Sequence, residues 1–133
     1  MKNYEVQSIE IQASLEDAVR YISDASKLPE WTSAFHSVRD RRATMVTPSG
    51  AIDVDLDVDL SPTCGSIDWT MTFPDKTVAR AFSRVVPVST HRIVYVFVLT
   101  TPPSQLEELE GALDRQSEIL HKELARLKQV LEQ

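Results

Sequence analysis

The sequence predicts an α+β fold: a curved antiparallel sheet of about six strands, two short N-terminal helices and one long C-terminal helix across the concave face. Three observations carry this. Residues 52–60 alternate five apolar side chains strictly with four aspartates, the mark of a half-buried antiparallel strand. Residues 93–99, Ile-Val-Tyr-Val-Phe-Val-Leu, are apolar on both phases, as an inner strand would be. From Ser104 onward the spacing changes to helical, and Leu106, Leu109, Leu113, Leu120, Leu124, Leu127 and Leu131 fall in one stripe.

The elements follow in order. Val6–Ile11 alternates and forms a first strand; Ser14-Leu15-Glu16-Asp17 resembles a capping box, and Leu15, Ala18, Val19 and Ile22 keep helical spacing to about Asp24. A second helix of about two turns starts near Pro29, with Trp31, Ala34 and Phe35 on its apolar side. Val38–Met45 is a weakly patterned strand, closed by a Pro48-Ser49-Gly50 turn before the aspartate strand. Ser66–Phe73, Val78–Val88 and His91–Thr100 complete the run of strands. Pro102 and Pro103 end the last strand, Ser104 offers an N-cap with Glu107 three residues on, and one helix runs to about residue 132. With no internal repeat or linker, residues 1–133 read as a single domain.

Composition narrows the function classes. A net charge of −6 opposes generic affinity for nucleic acid or an anionic membrane. Cys64 is the one cysteine, so no intrachain disulfide forms, and the N-terminal residues lead into no apolar run of signal-peptide or membrane-spanning length; these features point to a cytoplasmic protein without stable membrane insertion. His36, His91 and His121 are too dispersed for a zinc or iron site, and no phosphate-cradling glycine loop is present, so no cofactor is expected. The Asp53, Asp55, Asp57, Asp59 ladder lacks calcium-loop chemistry, because Val58 and Cys64 stand where that loop needs glycine and glutamate. It reads as a solvated face or a guard against edge pairing.

The order of elements and several local motifs resemble the START-like (SRPBCC) superfamily of helix-grip domains, which includes polyketide cyclases and lipid-transfer domains. The motifs are Ser14-Leu15-Glu16-Asp17-Ala18-Val19 leading to Tyr21-Ile22-Ser23-Asp24, then Leu28-Pro29-Glu30-Trp31, Gly65-Ser66-Ile67-Asp68-Trp69 and the closing Glu123-Leu124-Ala125-Arg126-Leu127-Lys128. The resemblance spans nearly the whole chain. It implies a cavity between the last helix and the sheet that commonly binds an apolar ligand and in some members performs chemistry on it.

Several residues are candidates for such a site. Gln116 and Ser117 interrupt the leucine stripe, so they either direct an amide and a hydroxyl into the covered space or bond to each other or to a strand. Tyr95 shares a strand phase with Phe97 and, at the strand's end, His91. Leu113, Leu120, Phe97 and Trp69 would complete an apolar lining, and Trp31 and Phe35 either gate its mouth or bury against the sheet. Ala79, Ala81 and Ser83 put small side chains in one phase of their strand, leaving room for a ligand or for Trp69; Arg80 and Arg84 take the other phase, opposite the aspartates.

The first reading is therefore a carrier or sensor of a small hydrophobic or amphipathic molecule, with no metal or cofactor. The second is a cyclase or dehydratase acting on a bound ketone, with Tyr95, His91 or Asp68 moving protons. The third is a protein-interaction module in which the leucine stripe or a sheet edge pairs with another chain, a second copy in a homodimer included.

Overall fold

A computed structural model of the chain describes residues 4–47, 50–100 and 106–133, the side chains of Thr47 and of residues 106–114 excepted. The elements are β1 (Tyr4–Ile11), α1 (Leu15–Ile22), a 3-10 turn (Ala25–Lys27), α2 (Leu28–Trp31), β2 (Phe35–Arg39), β3 (Arg42–Thr47), β4 (Gly50–Ser61), β5 (Ser66–Thr72), β6 (Val78–Ser89), β7 (Arg92–Thr100) and α3 (Leu106–Leu131). The strands form one antiparallel sheet in the order β1-β7-β6-β5-β4-β3-β2. The predicted α+β architecture, with one long helix at the C terminus, is the one observed.

Two expectations change. The sheet has seven strands rather than six, because the weakly patterned stretch after His36 is a hairpin and not one strand. Asp40 adopts φ 56° at its tip, a left-handed conformation that aspartate tolerates better than most residues, and Arg39 pairs with Arg42 across the turn. The second helix ends at Trp31 and not after Phe35, which instead opens β2. The capping box at the start of α1 holds: Ser14 Oγ accepts from the Asp17 N–H at 3.1 Å. The expected Ser104 cap and the Pro48-Ser49 turn lie outside the described residues.

One face of the sheet carries the core. Ile9 and Ile11, Ile93 and Tyr95, Ala81 and Val85, Ile67, Trp69 and Met71, and Val54 and Leu56 are inner-phase residues that pack with Ile22, Trp31, Leu120, Leu124 and Leu127 from the helices. The aspartates of β4 take the opposite phase. β4 lies between β5 and β3 rather than at an edge, so the ladder guards no edge; Asp57 and Asp55 meet Arg41 and Arg42, and Asp53 accepts from Thr44 Oγ1 at 2.8 Å. Arg80 and Arg84 do share the outer face, yet their register partners are Thr70 and Ser66 of β5, not the aspartates.

Leucine burial alone would let α3 slide along the sheet, and polar contacts on its flanks fix its position. Gln7 Nε2 donates to the Ser117 carbonyl at 2.8 Å and to Ser117 Oγ at 3.1 Å. Further along, Lys128 Nζ donates to the Glu10 carbonyl at 3.0 Å, and Glu132 accepts from the Gln12 N–H at 2.9 Å. On the other flank the Glu123 carboxylate accepts from the Ser33 N–H in the α2–β2 connection and is drawn also to that of Ala34. Burial raises the pKa of Glu123 above the usual carboxylate value, with those N–H groups and Arg126 opposing the shift.

Two outcomes follow from these contacts. Gly65 sits at φ +77°, where an added Cβ would stand 2.3 Å from the Val85 carbonyl oxygen, on the backbone that returns a hydrogen bond to Gly65. Gly65→Ala is expected to cost about 3 kcal/mol or more, from left-handed strain and a backbone clash, measured by urea denaturation; a loss below about 1 kcal/mol would contradict this geometry. Glu123→Ala leaves the Ser33 N–H without its acceptor and should cost about 1–3 kcal/mol, whereas Glu123→Gln keeps an acceptor oxygen and should cost less than about 1 kcal/mol at pH 7. Because its folded pKa is raised, Glu123 binds a proton more readily in the folded than in the unfolded chain, so wild type should gain stability relative to E123Q as pH falls through the folded pKa towards the ordinary value of 4.5. Paired urea melts between pH 7 and 4.5 read the difference, and a wild type that instead loses ground on acidification would reverse the assignment.

Candidate functional site

The concave side of the sheet brings four aromatic residues into one row. Trp31 of α2 meets Tyr95 of β7 edge-on, with ring centroids 6.4 Å apart; Tyr95 meets Phe97 at 6.3 Å, and Phe97 meets Trp69 of β5 at 6.1 Å. Phe97 lies two residues beyond Tyr95 and therefore on the same face of β7, while Trp69 reaches it across β6, where its register partner is the small Ala81. The small phase of β6 thus faces inward, with Ala81 directly beside the Trp69 indole.

Three atoms in this row set it apart from ordinary packing. Trp31 Nε1, Trp69 Nε1 and Tyr95 Oη are buried and have no hydrogen-bond partner among the described residues. Tyr95 is 0% exposed and Trp31 2%, so water at the surface does not serve them. Each such group forfeits about 1–3 kcal/mol of solvation, and buried polar atoms in folded proteins are otherwise nearly always paired. Burial pushes the pKa of the Tyr95 phenol far above its ordinary value; the nearby Ser83 hydroxyl opposes this and Asp68 adds to it. Ser83 Oγ itself donates to the Ile67 carbonyl at 2.6 Å, and it lacks hydrogen-bond geometry with Tyr95.

The other sequence candidates fall in different places. Leu120 is buried beneath α3 and Phe35 packs against the core from β2, while the side chain of Leu113 lies outside the described residues. Gln116 is exposed, so its amide does not point towards the sheet; three residues from Ile119, which is also exposed, it lies off the buried seam of Leu120, Leu124 and Leu127. Ser117 is half-buried but engaged by Gln7, so of the two arrangements open to it, bonding to a strand is the one found. His91 stands exposed in the β6–β7 turn. Asp68 is on the outer phase of β5, half-buried, and accepts from the Ser83 N–H at 3.3 Å.

Gln7 and Glu123 hold α3 in place and were not singled out from sequence. Gln7 occupies an inward position of β1, a polar interruption among Ile9 and Ile11 that could have marked it; Glu123 carried no signal beyond its place beside Leu124. A separate surface groove of about 450 Å³ lies between α1 and the end of β4, floored by Leu15, Val19, Leu60 and Pro62. Among the described residues no group of three or more His, Cys, Asp or Glu could hold a metal ion, and no helix is long and apolar enough to cross a membrane.

No protein-family model and no curated protein matches the sequence. Solved structures do match. The protein XoxI from Bacillus cereus superposes with a TM-score of 0.74 at 18% identity, covering 98% of this chain and 96% of its own. A START superfamily protein from Mycobacterium smegmatis gives 0.67 at 15% identity, covering 97% and 99%. The Zhui aromatase/cyclase from a Streptomyces species gives 0.67 at 9% identity, covering 92% and 87%. The seven-stranded sheet, the short helices before β2 and the long α3, matched over most of their length by these structures, are a helix-grip fold, the architecture shared with the START superfamily protein.

Proposed function

We propose that the protein binds a small hydrophobic or amphipathic molecule between α3 and the concave face of the sheet, as a cytoplasmic carrier or sensor. The observation that carries this reading is the row Trp31, Tyr95, Phe97 and Trp69, with three buried donors unpartnered among the described residues. The aromatic faces offer apolar area at about 25 cal/mol per Å² buried, and the donors offer orientation, the combination that small-molecule pockets use. The solved START-superfamily and aromatase/cyclase structures of the same fold support the same class of ligand. Leu120 and Phe35 would extend the apolar lining, and Leu113 would join it from the next turns of α3. Ser117 contributes through its hold on Gln7 rather than by reaching a ligand, and Gln116 has no part in the pocket proposed.

The cyclase reading retains one supporting observation, the inward Tyr95. A phenol whose pKa burial has pushed far up stays protonated at neutral pH, donates a hydrogen bond and does not act as a base. Of the three groups considered from sequence for proton transfer, His91 is exposed and Asp68 takes the outer phase, so Tyr95 would work alone. A binding role asks less of the same residues and is the reading preferred.

Native mass spectrometry of freshly purified protein, set against the denatured mass and an organic extract, is expected to show a discrete bound species of a few hundred daltons. Tyr95→Phe provides the second test. Removing a buried hydroxyl without a partner should leave the unliganded protein as stable or up to about 1 kcal/mol more stable, while weakening ligand retention three- to tenfold, roughly one hydrogen bond. A Tyr95→Phe protein destabilised by more than about 2 kcal/mol in the unliganded state would mean that the hydroxyl serves the fold, and would remove the main support for a site here.

A further inference from the structure

The three unpartnered atoms share one property that restricts the ligand beyond its being apolar. An indole N–H only donates, and the Tyr95 hydroxyl, though it can do both, has near it the Ser83 hydroxyl, whose proton is already given to the Ile67 carbonyl. The satisfying group must therefore be a hydrogen-bond acceptor. Charge restricts it further. The inward strand positions, Glu5, Gln7, Ile9 and Ile11 on β1, Ile93 to Leu99 on β7, Ala79 to Val85 on β6, Ile67 to Met71 on β5 and Ile52 to Val58 on β4, include no Lys, Arg or His. The ionisable groups at the rim of this face are the carboxylates Glu5 and Glu123, the second with the solvent-exposed Arg126 acting on it, and Asp68 acts on Tyr95 from behind. Lys128, the half-buried cation of α3, is committed to the Glu10 carbonyl and Glu132 at the β1 edge. An ionised ligand would thus enter an apolar space without a counter-charge, and desolvating a bare carboxylate costs far more than a few hydrogen bonds return.

We infer that the ligand is an uncharged apolar molecule whose polar atoms are acceptors, such as a ketone, quinone, ester or ether, with oxygen placed along the row to accept from the Trp31, Trp69 or Tyr95 donors, and not a fatty acid or other anion. The inference rests on the cavity reading above. It assigns the two tryptophans a role that packing does not require, since phenylalanine would fill most of the same volume without an N–H to satisfy.

The test is a panel of six compounds on two skeletons, one tricyclic and one linear: fluorene, 9-fluorenone and fluorene-9-carboxylate, with undecane, 2-undecanone and undecanoate. Affinities are measured at pH 7.5 on the full chain by calorimetry and tryptophan quenching, and the infrared carbonyl stretch of each ketone is recorded free in hexane and bound. On at least one skeleton the ketone should bind five- to tenfold more tightly than its hydrocarbon and at least tenfold more tightly than its carboxylate, with its carbonyl band shifted to lower frequency on binding. Tyr95→Phe and, separately, Trp69→Phe should each reduce that shift while circular dichroism stays unchanged; two variants guard against one that fails to fold. Equal binding of ketone and hydrocarbon with an unshifted band, or tightest binding by the carboxylate, would overturn the inference and leave the cavity reading intact. Failure of every compound on both skeletons would remove the cavity reading itself, and this inference with it.

Discussion

The structure depends on covering one face of a curved seven-stranded sheet with one long helix, helped by Ile22 and Trp31 from the two short ones. Leu120, Leu124 and Leu127 supply the apolar seam, and their burial is the largest favourable contribution α3 can make. Apolar burial has no direction, however, and a leucine seam tolerates a turn of sliding at small cost. The polar contacts on both flanks remove that freedom: Gln7 on Ser117, Lys128 on the Glu10 carbonyl and Glu132 on the Gln12 N–H along β1, and Glu123 on Ser33 beside α2. Because they join elements more than 80 residues apart in sequence, they set the tertiary register of the helix and, with it, which inner side chains it roofs.

The same arrangement explains why the two faces of the sheet differ so much. On the outer face no described element covers Val6 of β1 or Phe82 of β6, which are exposed and flank Val98 of β7 as cross-strand neighbours. Further along, the aspartates of β4 sit beside Arg41, Arg42 and Thr44 of the next hairpin. Exposed ion pairs of this sort are worth little individually, about 0–1 kcal/mol, and their service is to keep four like charges on one strand tolerable. The inner face needs little such compensation, since its described strand positions are almost wholly apolar. Its exceptions are Glu5, Gln7 and Ser83 and the polar tips of the aromatic row.

Most of the fold was legible in the sequence because it rests on period. Strict alternation in β4 and β5 and the leucine spacing of α3 each allow one secondary structure and one buried face. What failed to show was local backbone geometry without a pattern to carry it. The β2–β3 hairpin turns on Asp40 at positive φ, with no glycine to announce it, and α2 stops at Trp31 because Phe35 is taken by the sheet. Of the site, the aromatic members were readable by phase from Tyr95, Phe97 and Trp69, whereas Gln116 was misplaced. It was put inside the stripe because one residue on a helix turns 100°, and the difference between the seam and its shoulder is about that angle. Gln7 and Glu123 act through partners 110 and 90 residues away, a distance over which a single sequence contains no spacing to read.

The aromatic row shows where the sequence departs from what folding alone would select. A core built for stability would place phenylalanine or leucine at positions 31, 69 and 95, filling similar volume with no N–H or O–H to desolvate. This chain instead buries three donors on one face, two of them indoles that can do nothing but donate, and surrounds them with apolar neighbours and no cation. The free-energy cost is of the order of several kcal/mol against a total stability of about 5–15 kcal/mol for a domain of ordinary size. A cost of that scale is offset when a molecule carrying acceptors occupies the site, because binding then satisfies groups that the protein has already desolvated and held in place. The expense falls on folding, and the affinity gained on binding is larger for it.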